Sequence, residues 1–142
     1  MVLGLEDRYG IPPLATIVIL GAETSFGDLT GMGGPLAENC NYGGIKASVQ
    51  GPWSETASGI ITIRGMQWWT WPTPEKGMDA WGLYLSTRFN GKYLELLKAD
   101  LWEQFAGIYY GANVIGYQGY ADDLKKRAIN IRSKAERAGY LW

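Results

Sequence analysis

The stretch IPPLATIVILGAETSFGD, residues 11–28, joins the longest apolar run of the chain to a glutamate. Pro12 and Pro13 preset helical backbone angles in a first turn, where the N–H groups that proline lacks are not needed. Apolar residues then recur on one helical face. The stretch therefore predicts an apolar helix over residues 12–24.

Glu23 follows directly on this apolar run, near the C-terminal end of the predicted helix. The helix dipole disfavours an anion at that end and raises the pKa of a carboxyl group there. Glu23 is therefore suited to hold a proton, and it becomes a candidate general acid. A glutamate that is only solvated or structural is the alternative interpretation.

The composition narrows the chemistry that the chain can carry out. Its 142 residues fit a single domain, 1–142, that buries its own core. The chain has no histidine and one cysteine, Cys40. This excludes histidine-dependent nucleophilic catalysis, histidine-ligated metal centres and a disulfide within the chain. Carboxylates, tyrosines and lysines remain as proton-transfer groups, and we expect no metal and no organic cofactor.

Charge and hydropathy restrict the expected partners. The formal net charge is -1, with 13 basic and 14 acidic residues, so no electrostatic attraction to nucleic acid is expected. The pattern contains neither a signal peptide nor an apolar run of ~20 residues, and we expect no membrane insertion. Seven tryptophans and nine tyrosines slightly favour a ligand with flat apolar faces, such as a sugar.

The remaining pattern predicts an α+β fold that is mainly helical, with one small sheet. The glycine-rich segment 27–44 is predicted to be a loop. Two β-rich runs, 45–49 and 59–64, predict a small antiparallel ribbon. Further helices are predicted at 73–89, 93–98, 100–110 and 121–138.

Glu55 lies in the polar stretch between the two β-rich runs. Hydrolysis of a glycosidic bond commonly requires one protonated acid and one ionised carboxylate. Two acids in different environments, such as Glu23 and Glu55, suit that division. A solvated surface glutamate is the alternative interpretation of Glu55.

Five segments, in order, resemble the glucosaminidase domain of bacterial and phage peptidoglycan hydrolases, glycoside hydrolase family 73, within the lysozyme-like superfamily. They extend over nearly the whole chain and are YGIPP (9–13), AETSFGD (22–28), NYGGIK (41–46), Glu55 and GYADD (119–123). The resemblance implies a lysozyme-like fold, in which a small antiparallel β-ribbon lobe flanks a cleft.

The resemblance also implies roles for single residues. Glu23 matches the general acid, Glu55 the second acid of the β-lobe, and Tyr120 a catalytic tyrosine near the general acid. Segment 41–46 matches a turn that shapes the floor of the cleft. The residues expected to contact substrate are Phe26, Asn41, Tyr42, Lys46, Trp68, Trp69 and Tyr117, with Trp71 as a further stacking candidate. Packing in the core or the hairpin is the alternative for the tryptophans, as it is for Tyr120.

The chain departs from the family pattern at three places. Thr24 follows the acid where the family usually has serine, and Tyr-Gly replaces Leu-Phe in the 41–46 turn. A glycine-rich stretch, 28–38, replaces one that usually contains lysine and alanine, so substrate preference stays open. Asp28 and Glu38 are alternative candidates for the second acid.

The implied activity is endo-acting hydrolysis of peptidoglycan glycan strands at β-1,4 bonds after N-acetylglucosamine. A muramidase or a lytic transglycosylase of the same superfamily is one alternative, and the transglycosylase needs no second carboxylate. A non-catalytic wall-binding or phage tail module is another. The chain is expected to act on the bacterial cell wall, as a monomer or within a larger chain or virion. It would be phage-encoded, as an endolysin or virion-associated protein, or a domain of a longer secreted protein.

Overall fold

Helices dominate the fold, and one two-stranded sheet interrupts them. A computed structural model describes residues 2–24 and 33–140. The α-helices are α1 (Val2–Tyr9), α2 (Pro13–Thr24), α3 (Gly33–Glu38), α4 (Pro74–Thr87), α5 (Lys92–Lys98), α6 (Trp102–Ala106) and α7 (Tyr117–Arg137). The strands are β1 (Gly59–Ile63) and β2 (Met66–Thr70). Shorter helical segments are Pro52–Thr56 and Arg88–Gly91, both 3-10, and Gly107–Gly111, a π turn. The predicted mainly helical α+β class is confirmed.

Helix α2 lies in the core and packs against α1, α3 and α7, and α7 packs in turn against α6. Val18 of α2, Phe105 of α6 and Leu124 of α7 are fully buried. Each such side chain contributes roughly 1.5–3 kcal/mol by leaving water. This packing brings the C-terminal end of α2 beside the first turn of α7.

The helices predicted at 12–24 and at 73–89 are both confirmed, as α2 and α4. Helix α4 begins as the sequence suggests, because the Thr73 hydroxyl accepts a hydrogen bond from the Lys76 N–H at 3.2 Å. Helix α7 begins earlier than predicted, at Tyr117, directly after Gly116 with its left-handed φ of 90°. Helix α1 was not predicted, and its packing on α2 and α4 stabilises it.

The predicted pairing of the ribbon is wrong. Strand β1 pairs with β2, in the register Ile61 opposite Trp68, and not with 45–49. The two strands are joined by Arg64 and Gly65, which both have positive φ, 51° and 78°. Such a two-residue turn matches the twist of a hairpin and pairs the strands it joins. Segment 45–49 contributes only a bridge from Lys46 to Trp68.

Two further predictions need correction. The segment 27–44 is not all loop, because α3 occupies Gly33–Glu38, while 25–32 lies outside the described residues. The helix predicted at 100–110 is divided into α6 and the π turn, and Asp100 has a positive φ of 62° instead of helical geometry. Within residues 2–24 and 33–140, no helix combines the length and the hydropathy that crossing a membrane requires.

Candidate active site

Glu23 lies in the last turn of α2, and its half-buried side chain lines a cleft of about 410 Å³. Burial raises the pKa of Glu23 to about 7, and a hydrogen bond from Tyr120 opposes that rise. The pKa is therefore raised in the direction predicted from the sequence, with loss of solvation as the main cause. A carboxyl group with such a pKa is protonated in a large share of molecules at neutral pH.

The two carboxyl oxygens of Glu23 have different surroundings. Oε1 accepts a hydrogen bond from the Tyr120 hydroxyl at 2.6 Å. Oε2 faces Gly44, where an added Cβ would lie 3.3 Å from it. Because Tyr120 donates to Oε1, the acidic proton of Glu23 is placed on Oε2.

Tyr120 lies in the first turn of α7, and its ring stacks on Tyr110, with centroids 4.7 Å apart and an interplanar angle of 19°. Burial and the nearby Glu23 carboxyl raise the pKa of Tyr120, so its hydroxyl stays protonated and acts as a donor. The structure thus brings together Glu23 and Tyr120, two of the residues predicted from the sequence.

The 41–46 turn forms one side of the cleft, and Asn41 holds it in place. Asn41 is 1% exposed. Its amide nitrogen donates to the carbonyls of Ile45 at 3.0 Å and Trp69 at 2.8 Å, and its Oδ1 accepts from the Ile45 N–H at 2.8 Å. These internal bonds occupy its amide and Asn41 does not line the cleft, so its predicted contact with substrate has no support in its position. Asn41 shapes the cleft instead.

The cleft joins the end of α2, the 41–46 turn, strand β2 and the π turn. Two of the predicted substrate-contacting residues, Lys46 and Trp68, line it. The residues that line the cleft are Glu23, Leu36, Gly43, Gly44, Lys46, Met66, Trp68, Tyr84, Tyr109, Tyr110 and Val114. This mixture of aromatic surface, hydroxyls, one ammonium and one carboxyl group is typical of a site that binds a polar ligand with apolar faces.

Tyr109 and Tyr110 were not identified from the sequence. They lie in the GIYYG segment, in which the helical turn widens at Gly107–Gly111. The Tyr109 hydroxyl donates to the Gly43 carbonyl at 2.6 Å. The available signal was two successive tyrosines flanked by glycines at the end of a predicted helix, and π turns occur frequently at functional sites.

The other predicted site residues do not line this cleft. Trp69 donates its indole N–H to the Val49 carbonyl at 2.8 Å, and Tyr117 donates its hydroxyl to the Glu103 carbonyl at 3.2 Å. Tyr42 is half-buried and packs against the core. These three side chains are held within the protein, so their predicted substrate contacts have no support in their positions. Trp71 is buried and belongs to the core. Phe26 lies outside the described residues.

The second carboxylate remains unassigned. Glu55 is exposed on the short helix Pro52–Thr56 and does not line the cleft. Glu38 is exposed at the end of α3 and also lies outside the cleft lining, and Asp28 is not among the described residues. Across 2–24 and 33–140, Glu23 is the one carboxylate that lines the cleft. The same ranges contain no group of three or more acidic or cysteine side chains placed to hold a metal ion.

Compared with protein-family models, with curated proteins and with solved structures, the chain matches none.

Proposed function

We propose that this protein cleaves β-1,4 glycosidic bonds of peptidoglycan glycan strands, with Glu23 as the general acid. The observation that carries the proposal is a half-buried carboxyl group in a cleft of about 410 Å³, with a pKa of about 7 and a fixed tyrosine donor. A general acid works best when its pKa lies near the working pH. Glycosidases commonly raise the pKa of their acid in this way.

The proton of the reaction would leave from Oε2 of Glu23. Tyr120 occupies Oε1, so a glycosidic oxygen in the cleft would approach Oε2 beside Gly44. As the bond to the leaving oxygen breaks, the proton moves to that oxygen and Glu23 becomes a carboxylate. The Tyr120 hydrogen bond then stabilises the new charge, because a bond to an ionised acceptor is stronger than one to a neutral acceptor.

The choice of peptidoglycan follows from the resemblance of five segments to family 73 glucosaminidases, which places the cut after N-acetylglucosamine. A lysozyme-like fold is part of the same proposal. The cleft composition supports a sugar ligand, since the tyrosines Tyr109 and Tyr110 offer aromatic surface and Lys46 offers a cation. The place of action would be the bacterial cell wall, reached from a phage or as part of a longer secreted protein.

A lytic transglycosylase is the second candidate, and one observation favours it. Glu23 is the one carboxylate in the described lining of the cleft. A transglycosylase needs no second carboxylate, because a hydroxyl of the sugar itself attacks the anomeric carbon. Mass spectrometry of the products after borohydride reduction separates the candidates. Reduced glucosamine at the new end supports a glucosaminidase, reduced muramic acid supports a muramidase, and an anhydro sugar supports a transglycosylase.

The test of the proposal is the clearing of purified cell walls by the wild type and by Glu23→Gln. Glutamine keeps the shape and the acceptor for Tyr120 but has no acidic proton, so we expect at least a hundredfold loss of rate with wall binding retained. Glu55→Gln is the matched control, and its surface position predicts a near-normal rate.

Three results would change the proposal. No clearing by the wild type, or equal clearing by Glu23→Gln, would refute the catalytic role. In that case, retained wall binding would favour a non-catalytic wall-binding or tail module. A large loss in Glu55→Gln would instead restore Glu55 as the second acid.

A further inference from the structure

The π turn Gly107–Gly111 is a local widening of the helix that leaves α6. The Ala112 N–H donates to the Gly107 carbonyl, five residues earlier, at 2.9 Å. Such turns are rare, and they interrupt the regular α-helical hydrogen bonding. They occur frequently at functional sites. This turn brings two successive tyrosines, Tyr109 and Tyr110, to the lining of the cleft.

Tyr109 connects the turn to the loop beside Oε2 of Glu23. Its hydroxyl donates to the Gly43 carbonyl at 2.6 Å and accepts from the Trp81 indole N–H at 3.3 Å. Its ring stacks on Phe105, with centroids 4.8 Å apart. Trp81 and Phe105 therefore hold the Tyr109 hydroxyl in place. The hydroxyl in turn holds the Gly43 carbonyl, next to Gly44.

The backbone at Gly43 and Gly44 approaches its neighbours closely. A Cβ on Gly43 would lie 2.3 Å from the Trp81 ring. Gly44 has a left-handed φ of 61° and directly faces Oε2 of Glu23. A loop of two glycines has little stiffness of its own, so the hydrogen bond from Tyr109 holds it against the acid.

Tyr110 connects the turn to the other carboxyl oxygen of Glu23. Its ring stacks on Tyr120 at 4.7 Å, and its hydroxyl donates to the Ile115 carbonyl at 3.0 Å. Tyr120 in turn donates to Oε1. Stacking limits the directions in which the Tyr120 hydroxyl can point.

We infer that the π turn Gly107–Gly111 positions Glu23 from both sides, through Tyr109 and the 43–44 loop at Oε2 and through Tyr110 and Tyr120 at Oε1. Tyr109 and Tyr110 are positioning residues that act through their neighbours. The catalytic consequence rests on the proposed function, whereas the effect on the carboxyl group does not. The groups that bear on the titration of Glu23 are the Tyr120 hydroxyl, which bonds to it, and the nearby Tyr109 hydroxyl. Among the residues described as lining the cleft, Lys46 contributes the one ammonium group.

Substitutions of Tyr109 and of Tyr110 are expected to shift the pKa of Glu23 in opposite directions. Tyr109→Phe frees the 43–44 loop and admits water to Oε2, so the pKa of Glu23 falls towards its ordinary value because desolvation is the cause of its rise. Tyr110→Leu removes the stacked ring and loosens the hydrogen bond from Tyr120 to Glu23. Because that hydrogen bond lowers the pKa of Glu23, its loosening raises the pKa. Tyr110 is 38% exposed, so this variant is expected to fold.

The pKa of Glu23 is measured by carbon-13 NMR titration of the glutamate carboxyl carbons, with Glu23→Gln identifying the resonance. On cell-wall fragments, kcat, KM and the pH–rate profile are measured in parallel. We expect kcat to fall about tenfold in Tyr109→Phe, with KM nearly unchanged and the basic limb of the profile moved to lower pH. Tyr9→Phe is the control, because it removes a half-buried tyrosine hydroxyl, bonded to Asp79, that does not line the cleft.

Opposite shifts of the Glu23 titration in Tyr109→Phe and Tyr110→Leu, with none in Tyr9→Phe, support the inference. Titration curves that coincide with the wild type, or that shift in the same direction in both variants, overturn it. If the opposite shifts occur but the wild type clears no cell walls, the proposed function fails and the positioning stands. If lysis depends on Glu23 while both variants keep the wild-type titration and pH profile, the function stands and the positioning fails.

Discussion

The raised pKa of Glu23 makes the stability of this protein depend on pH in a way that one substitution can isolate. Burial raises this pKa from 4.5 to about 7 in the folded state. Below about pH 4.5 the carboxyl group is protonated in both the folded and the unfolded chain, and its burial carries no charge penalty. Above pH 7 the folded chain must hold an ionised carboxylate in the same place.

The magnitude follows from the linkage between proton binding and folding. One pH unit of difference corresponds to about 1.4 kcal/mol, so the shift of Glu23 corresponds to about 3 kcal/mol. The unfolded chain binds fewer protons than the folded chain between about pH 4.5 and 7. The contribution is therefore fully present below pH 4.5 and is lost as the pH rises through 7.

Glu23→Gln removes the ionisation and retains an acceptor for the Tyr120 hydroxyl. Relative to the wild type, the free energy of unfolding of this variant is expected to increase by about 3 kcal/mol between about pH 4 and pH 8. Urea denaturation of both proteins at the two pH values measures this difference, in which the titration of all other groups cancels.

Glu55→Gln provides the control, because the same substitution at an exposed position is expected to change stability by less than about 0.5 kcal/mol at either pH. If the stability difference between Glu23→Gln and the wild type is the same at both pH values, Glu23 does not have a raised pKa. Glu23 would then be ionised at neutral pH and could not act as a general acid.

Three other variants, and one control, test the surroundings of the acid. Tyr120→Phe removes a bond that stabilises the ionised form of Glu23, so the basic limb of the pH–rate profile should move upward by about one pH unit; a downward shift would contradict this. Gly44→Ala introduces a Cβ 3.3 Å from Oε2 at a left-handed φ and should cost about 1–2 kcal/mol by thermal unfolding and lower kcat. Gly65→Ala, with a φ of 78° and no atom within 4 Å, should lose similar stability but retain activity. Asn41→Ala removes the hydrogen bonds to three backbone groups, the N–H and the carbonyl of Ile45 and the carbonyl of Trp69, and should cost about 3 kcal/mol in urea denaturation. A loss under about 1 kcal/mol would show that the turn holds without it.

Some features of the site could be predicted because they depend on local chemistry. Prolines in a first turn and an apolar helical face lie within a few residues of one another, and α2 formed where they predict it. The position of Glu23 at the C-terminal end of that helix is likewise a local property. Tyr120 and Lys46, by contrast, are predicted through the resemblance, and only the fold shows that Tyr120 bonds to Glu23 and that Lys46 lines the cleft.

Other features depend on contacts between distant parts of the chain. The sequence predicts β structure at 45–49 and 59–64 but not strand β2. The turn at Arg64–Gly65 pairs β1 with β2. The positive φ of Phe89 and Asn90 and the widening of the helix at Gly107–Gly111 likewise do not follow from the periodicity of the sequence. Periodicity reports which face of a segment is apolar, and it does not report which other segment covers that face.

The sequence by itself determined an apolar helix with a glutamate at its end, in a chain without histidine. Only the tertiary structure decided that Tyr120, 97 residues away, donates to that glutamate, and that Tyr109 holds a glycine 66 residues away beside it. The physical reason is that desolvation and hydrogen-bond geometry, which together set the pKa of Glu23, arise from packing between distant segments.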